Sequence, residues 1–234
     1  MDAQEGVRDI DARLAAAGDE RRAEHNKGYL PSAERSWDVP VPVMRKTARD
    51  LARDLRDAPG ADLLEIAFAL CETGTHECRS VAYEIVTMHR AAFVLLNATR
   101  LERLGRGLDN WGSVDHFGRG LSGPAWKQGQ ISDARVDRWL RSHDLWWRRV
   151  ALVSTIALNE RDRPEGDAER TLHVCRRLID DREDMVVKAM SWALRELATR
   201  DSESVRRFLA EHEESLAARV KREVRRKLET GKKN

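Results

Sequence analysis

The chain has 234 residues, of which 41% are hydrophobic and 35% charged, with a formal net charge of +2. That length can bury a real core as one large or two small domains, and the composition is that of a helix-rich protein with salt-bridged faces. The acidic opening MDAQEGVRDI lacks the apolar stretch of a signal peptide, and no apolar run approaches the roughly 18 residues of a membrane span, so a cytoplasmic protein is expected.

Apolar periodicity near 3.6 residues predicts helices over 3–17, 43–56, 61–73, 76–88, 91–105, 113–121, 133–142, 146–158, 167–180, 184–199, 202–213 and 216–229. The six prolines (Pro31, Pro40, Pro42, Pro59, Pro124 and Pro164) fall at helix boundaries. Ser132, Asp201 and the Asp180–Asp181 pair stand where helix N-caps are needed. No stretch alternates apolar and polar residues long enough to claim a strand, so the fold class is all-α. Helices of two to four turns, paired by links such as ETGTHE and TRDSES and spaced by about 35–40 residues, suggest a HEAT-like helical-repeat solenoid. A compact bundle is the alternative. The expected organisation is one repeat domain over 1–234, with an N-terminal helix in 1–24 and a basic helix and tail in 216–234. That last stretch has eight Lys/Arg and two Glu, a net of +6, which leaves the remainder at about −4.

Three cysteines, Cys71, Cys78 and Cys175, lie in helical, partly apolar contexts and read as buried reduced thiols. His76 and Cys78 straddle Glu77, but no second ligand pair follows at zinc spacing, so no metal site and no cofactor are expected. Tryptophan usage is unusual, with seven Trp against four Phe and two Tyr. Two of them lie off the apolar stripe of their helix. At about 100° per residue, Val114, Phe117 and Leu121 share one side, while Asp115 and Trp111 share another, roughly 125° away. In KAMSWALRE, Trp192 falls roughly 130° from the stripe of Val186, Ala189, Met190, Ala193, Leu194 and Leu197, beside Lys188, Arg195 and Thr199. An aromatic on a polar, basic face is poorly explained by packing and points to a site.

The helix over 146–158 is apolar nearly all round, which marks it as the most buried element. Arg149 projects into that apolar sector and must meet a carboxylate or phosphate, because an unpaired buried charge is very costly. Arg148 points elsewhere and reads as solvated. On the last helix Arg219, Arg222 and Arg226 form a cationic stripe opposite Val220, Val224 and Leu228. A stripe like this can be a solvated face favoured by the helix dipole. Together with the basic face around Trp192 it also fits a surface that tracks phosphates.

Four ordered patterns carry a family resemblance: GYLPS…VPVPVMRK (28–46), NWGSVDHF (110–117), WWRRVAL (146–152) and VVKAMSWALRE (186–196), with RVKREVRRKL (219–228) as a fifth. They are similar to the bacterial alkylpurine DNA glycosylases built from HEAT-like repeats, the AlkD family. The resemblance implies an all-helical solenoid that grips duplex DNA in a concave cleft. It also implies removal of cationic N3- and N7-alkylated purines without metal, lyase chemistry or a base-flipping pocket. Position by position, it makes Asp115 the catalytic carboxylate, Trp111 and Trp192 the cleft tryptophans, Arg149 the arginine of the W-x-R pattern and Tyr29 the tyrosine of the first motif. Asn110 stands where the family commonly has a second aromatic, and Asp38 where its first motif usually has glycine.

This chemistry suits the residue types. A carboxylate at Asp115 would stabilise an oxocarbenium-like transition state and orient water. Trp111 and Trp192 would pack on the deoxyribose and exclude water. Arg149 would hold the phosphate near the lesion or hold Asp115 itself, while Lys188, Arg195 and Arg222 would meet flanking phosphates without reading sequence. The implied partner is double-stranded DNA carrying alkylated bases, bound by a monomer associated with the nucleoid. A non-catalytic binder of damaged or branched DNA, and a HEAT-type protein-interaction scaffold, are the other readings of the same features.

Overall fold

The computed structural model describes residues 3–19, 28–160 and 165–232. Residues 20–24 of the expected N-terminal helix, Pro164 and the last two residues of the basic tail lie outside them. The chain divides into two compact units, residues 1–121 and 122–234. Both are helical, and among the described residues the one β-type contact is an isolated bridge between Arg35 and Thr75.

The first unit contains α1 (Ala3–Ala16), α2 (Val41–Asp54), α3 (Gly60–Glu72), α4 (His76–Met88), α5 (Arg90–Phe93), α6 (Ala98–Leu104) and α7 (Trp111–Phe117). Helix α4 is the hub. It packs on α2, α3 and α7, and Cys78, Val81, Ala82, Tyr83, Ile85 and Val86 along it are fully buried. The second unit contains α8 (Gly123–Lys127), α9 (Asp133–Leu140), α10 (Leu145–Ser154), α11 (Ala168–Arg177), α12 (Asp184–Leu197), α13 (Ser202–Glu211) and α14 (Ala218–Thr230). Within it α10 packs on α12 and α12 on α14, while α9, α11 and α13 each pack on the helix that follows. This stacking of helical pairs is how repeats that cannot bury an apolar face alone share one core. Every residue from Val150 to Leu158 is buried, as the all-round apolar pattern requires.

Side-chain hydrogen bonds redraw several boundaries. The helix expected over 91–105 breaks in two because Asn97 adopts an extended backbone and accepts from the Arg100 amide at 3.0 Å, capping α6. Asn110 caps α7 in the same way, accepting from the Ser113 amide at 2.8 Å, so that helix starts at Trp111. Past Phe117 the chain continues as a π-helical turn, Gly118–Ser122, through the glycine-rich GRGLSG. The expected helix over 146–158 finishes in a tighter 3₁₀ turn, Thr155–Asn159. Asp201 caps α13 through Ser204 at 2.9 Å, whereas Ser132 makes no side-chain cap. The short α8, opening on Gly-Pro, offers too few turns for a periodic signal.

Residues 28–39 form no helix and are held to the first unit by side chains. Asp109 accepts from the Ser32 hydroxyl and the Ala33 amide, each at 2.5 Å. Glu34 pairs with Arg79 at 2.5 Å, both side chains being over nine-tenths buried. Arg79 also donates to the Leu104 carbonyl at 3.0 Å and to the Tyr83 hydroxyl at 3.2 Å. Glu77 Oε1 accepts from Ser36 Oγ at 2.8 Å, Trp37 N at 3.0 Å and Val39 N at 3.3 Å. The loop between these contacts turns through Asp38, whose φ of 52° lies in the left-handed region. That backbone explains why a glycine suits the position, since aspartate reaches it at modest cost and a β-branched residue does not.

His116 on α7 packs edge-on against Tyr83, 5.4 Å between ring centroids, with Glu84 at 3.7 Å. Burial, with smaller contributions from His76 and Arg45, pushes its pKa down to about 4. The ring is therefore neutral in the folded protein at neutral pH.

Two predictions follow from these environments. Asp38→Val should be less stable than Asp38→Gly by about 1–2 kcal/mol, because both lose the carboxylate but only valine strains the backbone. Denaturant midpoints decide this, and equal midpoints contradict it. For His116 the folded pKa lies below the unfolded value, so the unfolded state takes up the proton first. Its contribution is complete above about pH 6.5 and is lost as pH falls toward 4. Because His116 keeps some solvent contact, wild type should lose roughly 1–3 kcal/mol more than His116→Gln between pH 7 and 4. Parallel stability–pH curves for the two proteins contradict it.

Candidate functional site

In the first unit the site residues gather at the start of α7. Val114, Phe117 and Leu121 are fully buried, while Trp111 and Asp115, one turn apart, both stay partly exposed. The Trp111 indole N–H donates to the Tyr29 carbonyl at 3.1 Å. The two rings meet edge to face, with centroids 5.2 Å apart and planes at 87°. Tyr29 itself is 68% exposed, so its ring contact with Trp111 lies at the surface and not in the core. Beside it His76 Nδ1 lies 3.1 Å from Ser113 Oγ. Tyr29, Leu30, Val41, Met44, His76, Glu77 and Trp111 line a cleft of about 510 Å³.

What sequence reasoning missed here is the supporting set. Asn110 is fully buried; besides capping α7, its Nδ2 donates to Asp109 at 3.1 Å and to Ser32 and Ser113 at 3.3 Å. An aromatic in its place could make none of these bonds. Read as N-x-x-S ahead of an apolar run, 110–113 is a capping signal that could have been found. The roles of Asp109, Arg79, Glu34 and Glu77 depend on contacts across tens of residues and leave no local signal.

In the second unit the layer α10, α12 and α14 carries the remaining candidates. Arg149 is buried on α10, and its guanidinium donates to the Met185 carbonyl in the first turn of α12. Arg148 is not solvated as expected. It pairs with Asp181 at 2.7 Å and donates to the Ser142 and His143 carbonyls. Lys188 is partly exposed and pairs with Asp184 at 2.7 Å. That hydrogen bond, helped by the charges of Lys188, Arg219 and Arg149, holds the Asp184 carboxyl below its usual range.

Trp192 is partly exposed on α12, between buried neighbours. Arg195 departs from the exposed role expected of it. It is only 9% exposed, donates to the Ser191 carbonyl at 3.1 Å, and lies 3.9 Å from Glu223 on α14. Packing of α14 over that sector is the reason, which a wheel drawn on one helix does not reveal. Ser191 donates to the same Glu223 at 2.6 Å, and Arg219 lies 3.8 Å from it. Arg222 and Arg226 are exposed, and neither side chain has an ion pair among the described residues. Val220 and Val224 on the opposite side of α14 are fully buried.

The three cysteines are buried and unbridged, and burial pushes each thiol up to about 12, so none is poised as a nucleophile. Among the described residues no cluster of three or more His, Cys, Asp or Glu could hold a metal ion. No helix among them is long and apolar enough to cross a membrane. The candidate groups are a partly exposed carboxylate one turn along α7 from the Trp111–Tyr29 ring pair in one unit and a basic helical layer in the other.

No curated protein matches the chain. A solved structure described as a predicted DNA alkylation repair enzyme from Enterococcus faecalis superposes with a TM-score of 0.70 at 17% identity, covering 90% of this chain and 96% of that one. A likeness at this identity establishes the all-helical fold. The family model for DNA alkylation repair enzymes matches residues 10–228, nearly the whole chain, and the protein therefore belongs to that family and to the repair of alkylated DNA.

Proposed function

We propose that the protein is a monofunctional DNA glycosylase that excises cationic N3- and N7-alkylated purines from duplex DNA by hydrolysing the N-glycosidic bond. The observation that carries this reading is the pairing of Trp111 with Asp115 on the partly exposed face of α7, with Tyr29 locked onto the Trp111 ring. Packing does not require an aromatic and a carboxylate there.

An N7- or N3-alkylated purine carries a positive charge, so its glycosidic bond is weakened before the protein acts. As the base departs neutral, positive charge moves to the sugar. The Asp115 carboxylate faces that developing cation and orients the attacking water. The π faces of Trp111 and Tyr29 favour the same charge and keep bulk water away. Trp192 supplies a second aromatic contact to the DNA strand. Lys188, Arg219, Arg222 and Arg226 neutralise phosphates and fix register without reading sequence. Arg149 holds the phosphate near the lesion and also anchors the first turn of α12, while Arg195 acts through others, tying α12 to the Glu223 side of α14. Both therefore set the position of Lys188 and Trp192. The reaction requires no metal, cofactor or Schiff-base lysine, and neutral lesions such as uracil are poor substrates because the leaving group lacks charge. The protein acts as a monomer, in the cytoplasm and at the nucleoid.

Asp115→Asn keeps the shape of the side chain and removes its charge. Loss of one preorganised electrostatic group costs about 2.7–4 kcal/mol, a factor of 10²–10³ in rate. Single-turnover release of methylated base should fall by that factor while DNA affinity stays within a few fold of wild type. Release at the wild-type rate removes Asp115 from catalysis.

The binding surface makes a separate prediction. For wild type, affinity should fall steeply with salt and change little with sequence. Arg222→Ala should flatten the log–log salt slope by about 0.9, the value of one phosphate contact. Fluorescence anisotropy across several salt concentrations reads both slopes, and identical slopes mean that Arg222 meets no phosphate.

A further inference from the structure

Asn110, Ser113 and His76 form a chain of hydrogen bonds that ends in the cleft of the first unit. The Asn110 amide has one workable orientation, because its Oδ1 accepts from the Ser113 backbone N–H at 2.8 Å. Its Nδ2 is then the group 3.3 Å from Ser113 Oγ, and that oxygen accepts from it. Ser113 is only 2% exposed, so its own hydroxyl proton needs an acceptor inside the protein. His76 Nδ1 lies 3.1 Å away and is that acceptor. A neutral histidine whose Nδ1 accepts carries its proton on Nε2.

His76 is held so that this second nitrogen faces a partner from outside. Its backbone N–H donates to the Arg35 carbonyl at 2.9 Å, and the Arg35 N–H donates to the Gly74 carbonyl at 3.0 Å. The ring is partly exposed and lines the cleft with Tyr29 and Trp111. Nε2 has no hydrogen-bond partner among the described residues and, unlike His89 Nε2, is not shut off from solvent. The cleft thus offers a neutral N–H donor beside an aromatic ring pair. A strand lying against Trp111 presents its sugar–phosphate backbone to such a donor, and most protein–DNA hydrogen bonds go there.

We infer that His76 is a further DNA-contacting residue, its Nε2–H donating to a backbone phosphate of the strand that lies against Trp111. The inference rests on the reading that this cleft meets DNA, and not on cleavage of the glycosidic bond. The contact adds a hydrogen bond without adding charge, which separates it from the cations of the second unit.

Fluorescence anisotropy of the full-length protein with a duplex carrying a tetrahydrofuran abasic analogue tests the contact. His76→Ala should bind about tenfold more weakly than wild type, the scale of a hydrogen bond to a charged group. Its log–log salt slope should match that of wild type, because no cation is lost. His76→Gln keeps an N–H near the position of Nε2 and should recover most of the affinity. Replacing single phosphates near the analogue with neutral methylphosphonates should find one linkage that weakens wild type and leaves His76→Ala unaffected. A long-range ¹H–¹⁵N spectrum of the wild-type histidines covers the case in which His76→Ala fails to fold. It should show the proton of His76 on Nε2, and that resonance should move when the duplex is added. A proton on Nδ1, no such linkage, or equal binding by His76→Ala overturns the proposal. Tight duplex binding by both proteins sinks the His76 contact alone, whereas no duplex binding by wild type sinks the DNA reading of the cleft with it. A coupled linkage without release of base from methylated duplex sinks the glycosylase reading and leaves the contact standing.

Discussion

The side-chain carboxylate of Glu77 is the contact on which the candidate site depends most. Residues 28–39 have no helical ladder of their own, so their backbone polar groups must find partners elsewhere. Glu77 takes two backbone amides and the Ser36 hydroxyl, Asp109 takes one amide and the Ser32 hydroxyl, and the buried Glu34–Arg79 pair closes the middle of the segment. Because Arg79 is itself buried, losing Glu34 would strand a charge, at a cost of about 3–5 kcal/mol. The segment is thus fixed from inside, and Tyr29 at its start can stay exposed while its carbonyl holds the Trp111 indole. Asn110 joins both ends of this arrangement, capping α7 with its oxygen and donating to Asp109 and Ser32 with its nitrogen.

The second unit solves a different problem, how to keep cations close together on one layer. Lys188 is paired with Asp184, and Arg195, Arg219 and Ser191 all converge on Glu223. These partly exposed pairs are weak contributors to stability. They do lower the repulsion among the basic groups in the absence of DNA, and a phosphate can replace a surface carboxylate at little cost. Arg222 and Arg226, with no ion pair among the described residues, are the groups that face the solvent unneutralised. This division between paired and unpaired cations is consistent with a surface that binds backbone electrostatically and exchanges readily.

Much of this was legible in the sequence, for reasons that can be assigned residue by residue. The all-helical class followed from apolar periodicity, and α4 and α12 start where that periodicity starts, because tertiary packing acts on the same stripe that the pattern records. Trp111 and Trp192 stood out because a single-helix wheel is enough to show an aromatic off the stripe. The wheel failed wherever a second helix decides. Arg195 is covered by α14 and Arg148 folds back on Asp181, neither of which is encoded within one helix. The break at Asn97 is missed although the residue type announces it, since an apolar run on both sides outweighs the cap, and the Asn110 cap that starts α7 at Trp111, two residues before the expected 113, is missed as well. The anchoring of residues 28–39 was illegible altogether, because Glu77, Arg79 and Asp109 lie far along the chain from the groups they bind.

The family assigns the chain to repair of alkylated DNA, and the central claim here is that it does so by cutting the glycosidic bond. The direct measurement is chromatographic detection of free bases after wild-type protein is incubated with methylated duplex DNA, with untreated duplex as the control. The account requires time-dependent appearance of 7-methylguanine or 3-methyladenine, leaving abasic sites without strand cleavage, and no base from the untreated duplex. Tight binding to the methylated duplex with no free base released would contradict it, and would make the protein a binder of damaged DNA.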